Sequence, residues 1–304
     1  MKRNIISVLD MKDDMPEIVD LAIRLKKERG HHGDPLKGKS LAMIFEKPST
    51  RTRISFDVAM SELGGHPLYI EMSSTHMGGH NETVEDTARV LSRLVHGVMY
   101  RAYDYKVMDR IGDTATVPVI SGLDNLEHPC QALADMMTIK EKKGGFRGKK
   151  FVYLGDGNNV CNSLLYACAI MGIDMVACCP AVRMPNAEIM LGAARLAEKN
   201  GCHISASHQP KEACQDADVL YTDTWVSMGD DTPVETAVRI FKDYQINQEL
   251  LSLAKPDCIV MHCLPAHRGY EITDDVMDGP QSAVFDQAEN RLHAQKAVLY
   301  TLLK

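Results

Sequence analysis

The chain has 304 residues, 45% hydrophobic and 25% charged, which is ordinary for a folded protein and enough to bury the cores of two domains. Lys and Arg total 34 against 41 Asp and Glu, a net charge of −7 with no basic stripe, so no nucleic-acid partner is expected. No apolar stretch would span a bilayer, the N-terminus lacks a signal-peptide core, and the nine cysteines form no C-x-x-C pair; a cytoplasmic protein with reduced thiols and no membrane partner is expected.

Strand and helix patterns alternate along the chain. The first half predicts a strand at 40–46, a helix over about 51–63, a strand at 67–71 and a helix near 82–95. A strand at 97–102, a short helix near 104–111 and a strand at 117–121 follow. A helix over about 129–142 then leads toward a second domain. The second half predicts a strand at 150–154, a helix at 159–171, a strand at 174–179, a helix at 186–199 and a strand at 202–206. A short helix near 210–216 precedes a strand at 219–222. After a loop region and a helix come strands at 258–262 and 282–285 and a final helix over about 287–303. The pattern is that of two doubly wound parallel sheets, an α/β Rossmann-like architecture, with active groups at the carboxyl ends of strands in the cleft between two domains. The expected division is 1–135 with 287–304, and 136–286.

Polar residues fall at those strand ends. Ser49-Thr50-Arg51-Thr52-Arg53 follows the first strand where a helix begins, so hydroxyls, two guanidinium groups and unpaired helix N–H groups are expected to converge on a phosphate-like dianion. Arg101 ends another strand, and His128-Pro129-Cys130-Gln131 opens a helix. Asp156 and Asn159 follow the strand at 150–154, Asp223 follows the one at 219–222, and Cys263-Leu264-Pro265 follows the one at 258–262. Cations and donors on one side face acids and a thiol on the other, a polarity suited to an anionic group beside a cationic one. The spacings His76-x3-His80 and His262-Cys263-x3-His267 are not completed by a zinc-type partner motif, and no metal is expected.

With these residues in view, the chain resembles the aspartate/ornithine carbamoyltransferase family along essentially its whole length. Phe45-Glu46-Lys47-Pro48-Ser49-Thr50-Arg51-Thr52-Arg53 is similar to the family's carbamoyl-phosphate signature, and His128 to Asp135 to its second signature. Asp223-Thr224-Trp225-Val226-Ser227-Met228-Gly229 and His262-Cys263-Leu264-Pro265-Ala266 point to the ornithine branch. Aspartate enzymes carry a Pro-Leu-Pro-Arg-like stretch in place of the latter. The resemblance implies transfer of a carbamoyl group from carbamoyl phosphate to the δ-amino group of L-ornithine, giving citrulline and phosphate, as in arginine biosynthesis. Putrescine or acetylornithine are the alternative acceptors. It implies no cofactor.

By the family pattern Ser49, Thr50, Arg51 and Thr52 bind the phosphate. Arg101, His128 and Gln131, with Pro129 and Cys130, contact the carbamoyl group, and Arg291 covers the phosphate or carbonyl side. Cys263 and Leu264 also reach the carbamoyl group. Asn159, Asp223, Ser227 and Met228 hold ornithine, with Arg101, His128, Asp223 and Cys263 carrying the chemistry. His76 aligns with a loop that enters a neighbouring subunit's site, which implies a homotrimer or an assembly of trimers.

Two rival readings are weaker. Gly155-Asp156-Gly157-Asn158-Asn159-Val160 begins like a dinucleotide fingerprint, but Val160 stands where the third glycine belongs and no acid ends the next strand. A non-catalytic relative would be expected to lack Arg101, His128 or Cys263, and all three are present.

Overall fold

A computed structural model describes residues 2–72, 82–226 and 230–304. The chain divides into two compact units, Met1–Met137 with Glu289–Lys304, and Thr138–Ala288. In the first, α1 (Met15–Lys27) precedes β1 (Ser40–Phe45), α2 (Thr50–Glu62), β2 (His66–Glu71), α3 (Val84–Leu94), β3 (Gly97–Arg101), α4 (Tyr105–Thr114) and β4 (Val119–Leu123). The helix α5 (Pro129–Lys143) carries the chain into the second unit. There β5 (Lys150–Leu154), α6 (Asn159–Met171), β6 (Asp174–Cys178), α7 (Ala187–Asn200), β7 (Ile204–Ser207), α8 (Pro210–Cys214) and β8 (Val219–Thr222) follow. Then come α9 (Val234–Phe241), α10 (Gln248–Leu251), β9 (Ile259–His262), α11 (Asp274–Met277) and α12 (Val284–Leu303), whose C-terminal part belongs to the first unit.

Among the described residues each unit is built on one parallel sheet, of order β2-β1-β3-β4 in the first and β7-β6-β5-β8-β9 in the second. The expected pair of doubly wound sheets is therefore present. In a parallel sheet both faces are covered, which is why β1 reads Leu-Ala-Met-Ile-Phe without polar alternation and is buried from Leu41 to Phe45. Ala42, Ile44, Val98, Tyr100 and Val119 share a core with Met108 and Ile111 of α4. In the second unit Val152, Leu154, Leu220 and Val260 pack with Ile246, Ile272 and Val284. Strand order reverses between β1 and β3 and between β5 and β8. Those reversals are where a doubly wound sheet leaves space for a ligand at its carboxyl edge.

Three expectations shift. The strand at 282–285 reduces to one bridge, Ser282 to Val260, because Val284 already opens α12; its apolar residues are the helix's first turn, with Val284 buried and Phe285 exposed. The strand at 117–121 begins at Val119, after Pro118, which has no N–H to give a ladder. The helix α1 lies in a region for which no element was expected, although Met15, Ile18, Val19, Ala22 and Leu25 form a buried stripe. Among the described residues no helix is long and apolar enough to cross a membrane.

Candidate active site

The first unit gathers its polar groups at the β1/β3 reversal. Ser49 caps α2, with Thr52 N–H donating to Ser49 Oγ at 3.3 Å. Thr52 is buried, Arg51 is half-buried, and Thr50 is exposed on the first turn. Arg53 leaves the expected cluster: its guanidinium lies 3.8 Å over the Tyr69 ring, because the fourth residue of the helix already points away around it. One guanidinium of the pentapeptide, not two, remains for an anion.

Arg101 ends β3 buried, with Nη1 donating to Gly122 O at 3.0 Å and Nε finding no acceptor among the described residues. Burial and then the charges of Arg291 and Arg51 push its guanidinium below its ordinary value, and it stays charged at neutral pH. The same forces, burial first and then Arg291, Arg101 and Arg51, hold the His128 imidazole well below 6.5 and therefore neutral. Three arginines, Arg101 and Arg291 buried and Arg51 half-buried, act on this one imidazole, an arrangement that an incoming dianion would relieve.

Arg291, reaching in from α12, is spent on protein groups. Its Nη1 donates to Gln131 Oε1 at 2.7 Å and its Nη2 to Thr52 Oγ1 at 3.0 Å, while Gln131 Nε2 donates to Asp135 Oδ1 at 2.8 Å. The chain Asp135–Gln131–Arg291–Thr52 thus fixes which way the Gln131 amide and the Thr52 hydroxyl face. Pro129 takes the first position of α5, where its missing N–H costs nothing. The Cys130 thiol turns away to Ser121 O at 3.4 Å, and burial pushes it up to about 12. Lys47, to which sequence reasoning assigned no role, is buried with Nζ 4.6 Å over the Tyr103 ring; burial and Arg101 push its ammonium below its ordinary value. A lysine two residues past a strand end in an anion motif was the available signal.

The second unit does the same at the β5/β8 reversal, with acids. Asp223 follows β8 and is buried. Its Oδ1 accepts from Thr224 N–H (2.7 Å) and Cys263 Sγ–H (2.8 Å), and its Oδ2 from Asn158 Nδ2 (2.7 Å). Asn158 also caps α6, its Oδ1 accepting from Val160 and Cys161 N–H. Sequence reasoning named Asn159, the first helical residue; the cap that touches Asp223 is its neighbour. The N-cap preference for Asn at the residue before the helix was the missed signal.

Asp156 is buried in the same loop, and burial pushes its carboxyl up to about 6 despite Arg183 nearby. Cys263 and Leu264 follow β9, where Leu264 has φ 60° and its N–H donates to His262 Nδ1 at 2.8 Å. The other His262 nitrogen, Nε2, lies 3.1 Å from Glu271 Oε1. Asp223, His262 and Cys263 offer ligand atoms within 4.8 Å of one another, but both imidazole nitrogens are already engaged, so the cluster is a hydrogen-bonded one. His76, Ser227 and Met228 lie outside the described residues.

Comparison with known proteins accords with both halves. The family model described as "Aspartate/ornithine carbamoyltransferase, carbamoyl-P binding domain" matches residues 3–141, and "Aspartate/ornithine carbamoyltransferase, Asp/Orn binding domain" matches residues 147–302. The chain belongs to the aspartate/ornithine carbamoyltransferase family. Within that family it is 52% identical over 301 residues to the ornithine carbamoyltransferase of Methanobrevibacter smithii, covering 99% of each chain. To the catabolic ornithine carbamoyltransferase of Thermoplasma acidophilum it is 50% identical over 302 residues, again covering 99% of each. The solved ornithine carbamoyltransferase of Pyrococcus furiosus superposes with a TM-score of 0.96 at 49% identity, over 99% of this chain and 97% of that one.

Proposed function

We propose that the chain is an ornithine carbamoyltransferase, transferring the carbamoyl group of carbamoyl phosphate to the δ-amino group of L-ornithine to give L-citrulline and phosphate. The observation that carries this reading is the complementarity of the two strand-end clusters: three arginines around a helix N-terminus in one unit, and a caged carboxylate in the other. We assign carbamoyl phosphate to the first cluster and ornithine to the second.

The phosphate dianion is held by Ser49, Thr50, Arg51 and Thr52, where unpaired N–H groups and the positive helix end lie together. Arg101, the neutral His128 and Thr52 donate toward the carbonyl oxygen, with Gln131 on the carbamoyl nitrogen and Pro129 and Cys130 reaching it through backbone. Arg291 acts through Thr52 and Gln131. When the δ-amine lone pair attacks the carbonyl carbon, the C=O electrons move onto oxygen. These donors stabilise that oxyanion, one donor being worth about 3–4 kcal/mol of barrier. Collapse breaks the carbon–oxygen bond to phosphate, which takes the amine proton as it leaves. The chemistry needs no cofactor.

A carboxylate has about four acceptor sites, and Asp223 uses three of them on Asn158, Thr224 and Cys263, leaving one for the α-ammonium of ornithine. Asn159, Ser227 and Met228 complete the α-amino-acid contacts. The δ-amine, with a pKa near that of lysine at about 10, reacts only as the neutral form. Citrulline formation, as in arginine biosynthesis, is the direction favoured by consumption of an acyl phosphate.

The exposed Leu68 and Tyr69 on edge strand β2, with exposed Ile54 on the neighbouring α2, support a homotrimer or an assembly of trimers in which His76 serves a neighbouring site. Nine free thiols, eight of them buried, support a reducing cytoplasm. A ureido-product assay with carbamoyl phosphate and ornithine tests the reading: citrulline is expected, and its absence contradicts it.

A further inference from the structure

We infer that Arg183 is a positioning residue for the acceptor amino acid, tying together the two chain segments that flank Asp223 and Asn158. The inference rests on the ornithine reading of that cluster and goes one residue further out, to a side chain that neither signature contains.

Arg183 ends a short 3-10 turn, Ala181–Arg183, which follows β6 and is closed by Arg183 N–H donating to Pro180 O at 2.8 Å. The turn presents the two ends of Arg183 to different segments. Its carbonyl accepts from Gly157 N–H at 2.8 Å, in the loop that carries Asp156, Asn158 and Asn159. Its guanidinium turns the other way. Nη1 donates to Asp230 Oδ2 at 2.9 Å and Nη2 to Thr232 Oγ1 at 2.5 Å, on the chain leading from Asp223 to α9. Asp230 Oδ1 in turn accepts from both the N–H and the hydroxyl of Thr232, so the receiving end is itself preorganised.

Two features make this more than a surface ion pair. The side chains of Arg183 and Asp230 are only 26% and 22% exposed. The backbone approach is also so close that it dictates a residue type: a Cβ on Gly157 would stand 2.2 Å from Pro185 N and 2.7 Å from Arg183 O. Glycine at 157 is required by the close approach of the Arg183–Pro185 backbone. Charge supplies the second part of the role. Asp230 and Asp223 both act on Asp156, and Arg183 is the cation that opposes them there. Removing it would free Asp230 and Thr232 from the Arg183 turn and leave Asp156 without its opposing cation.

The test is a kinetic double-mutant cycle with Arg183→Met, Asp230→Asn and the double variant, each substrate varied at saturation of the other. Arg183→Met should raise KM for ornithine about tenfold, as for a charge-assisted hydrogen bond that orders a binding segment, with KM for carbamoyl phosphate unchanged. Asp230→Asn should do the same, and the double variant should be no worse than the worse single one. Arg183→Lys should recover part of the loss, and the milder Thr232→Val should raise KM for ornithine severalfold even if Arg183→Met does not fold. An unchanged ornithine KM, equal rises for both substrates, or multiplying effects in the double variant would overturn the role of Arg183. A wild-type chain that forms no citrulline would instead remove the ornithine reading on which it rests.

Discussion

His128 shows how a single side chain takes its chemical state from its surroundings. In the unfolded chain the imidazole titrates near 6.5, whereas in the folded chain burial and then Arg291, Arg101 and Arg51 keep it neutral well below that. The unfolded state therefore binds the extra proton. His128 contributes full stability above pH 6.5 and loses it as pH falls through that value, with a slope approaching about 1.4 kcal/mol per pH unit. His128→Gln should lose less stability than wild type between pH 7.5 and 5.5, measured as the change in urea midpoint; equal losses would contradict the assignment. At this scale the sequence was most informative where a residue sits in a contiguous motif, as Thr52 and Gln131 do. It was least informative where a partner comes from far along the chain. Arg291 reaches Thr52 and Gln131 across 239 and 160 positions, and no local pattern says that it serves them rather than the phosphate. Asn158 was hidden for a different reason: adjacent asparagines make cap and first helical residue interchangeable until the backbone is seen.

Among elements, the strand-end turns do most to create function. The 3-10 turn at Ala181–Arg183 and the β5–α6 loop fit only because position 157 has no side chain. Gly157→Ala should therefore push the two backbones apart, cost about 1–3 kcal/mol as an overpacked contact does, and raise KM for ornithine more than KM for carbamoyl phosphate. Wild-type stability and kinetics in that variant would show that the approach is not needed. The buried parallel strands were legible in sequence because uninterrupted apolar runs between turn residues have few other readings. Two elements were not. The apolar stripe of α1 lies among charged residues and precedes the first strand, so it offered no alternation to complete. The segment at 282–285 looked like a strand because one rung of pairing at Ser282 is followed at once by the apolar first turn of α12.

At the scale of the molecule, each unit places a polar cluster where its own strand order reverses, one lined by arginines and the other by carboxylates. The division of labour follows from that charge difference. On β2, an edge strand among the described residues, Leu68 and Tyr69 leave exposed apolar surface of the kind that a neighbouring subunit would cover. Light scattering should give three times the 33.7 kDa chain mass or a multiple of it, and a monomer would contradict the proposed assembly. The choice of acceptor is the central claim, and it rests on the Asp223 carboxylate reading an α-ammonium group. Its most direct measurement is kcat/KM with carbamoyl phosphate for ornithine, putrescine, acetylornithine and aspartate, in wild type and in Asp223→Asn. Ornithine should exceed acetylornithine, whose α-nitrogen is an uncharged amide, by about a hundredfold or more, as expected where a buried charged group loses its partner, and Asp223→Asn should erase most of that margin. Comparable turnover of acetylornithine by the wild type, or an undiminished preference for ornithine over acetylornithine in Asp223→Asn, would contradict it.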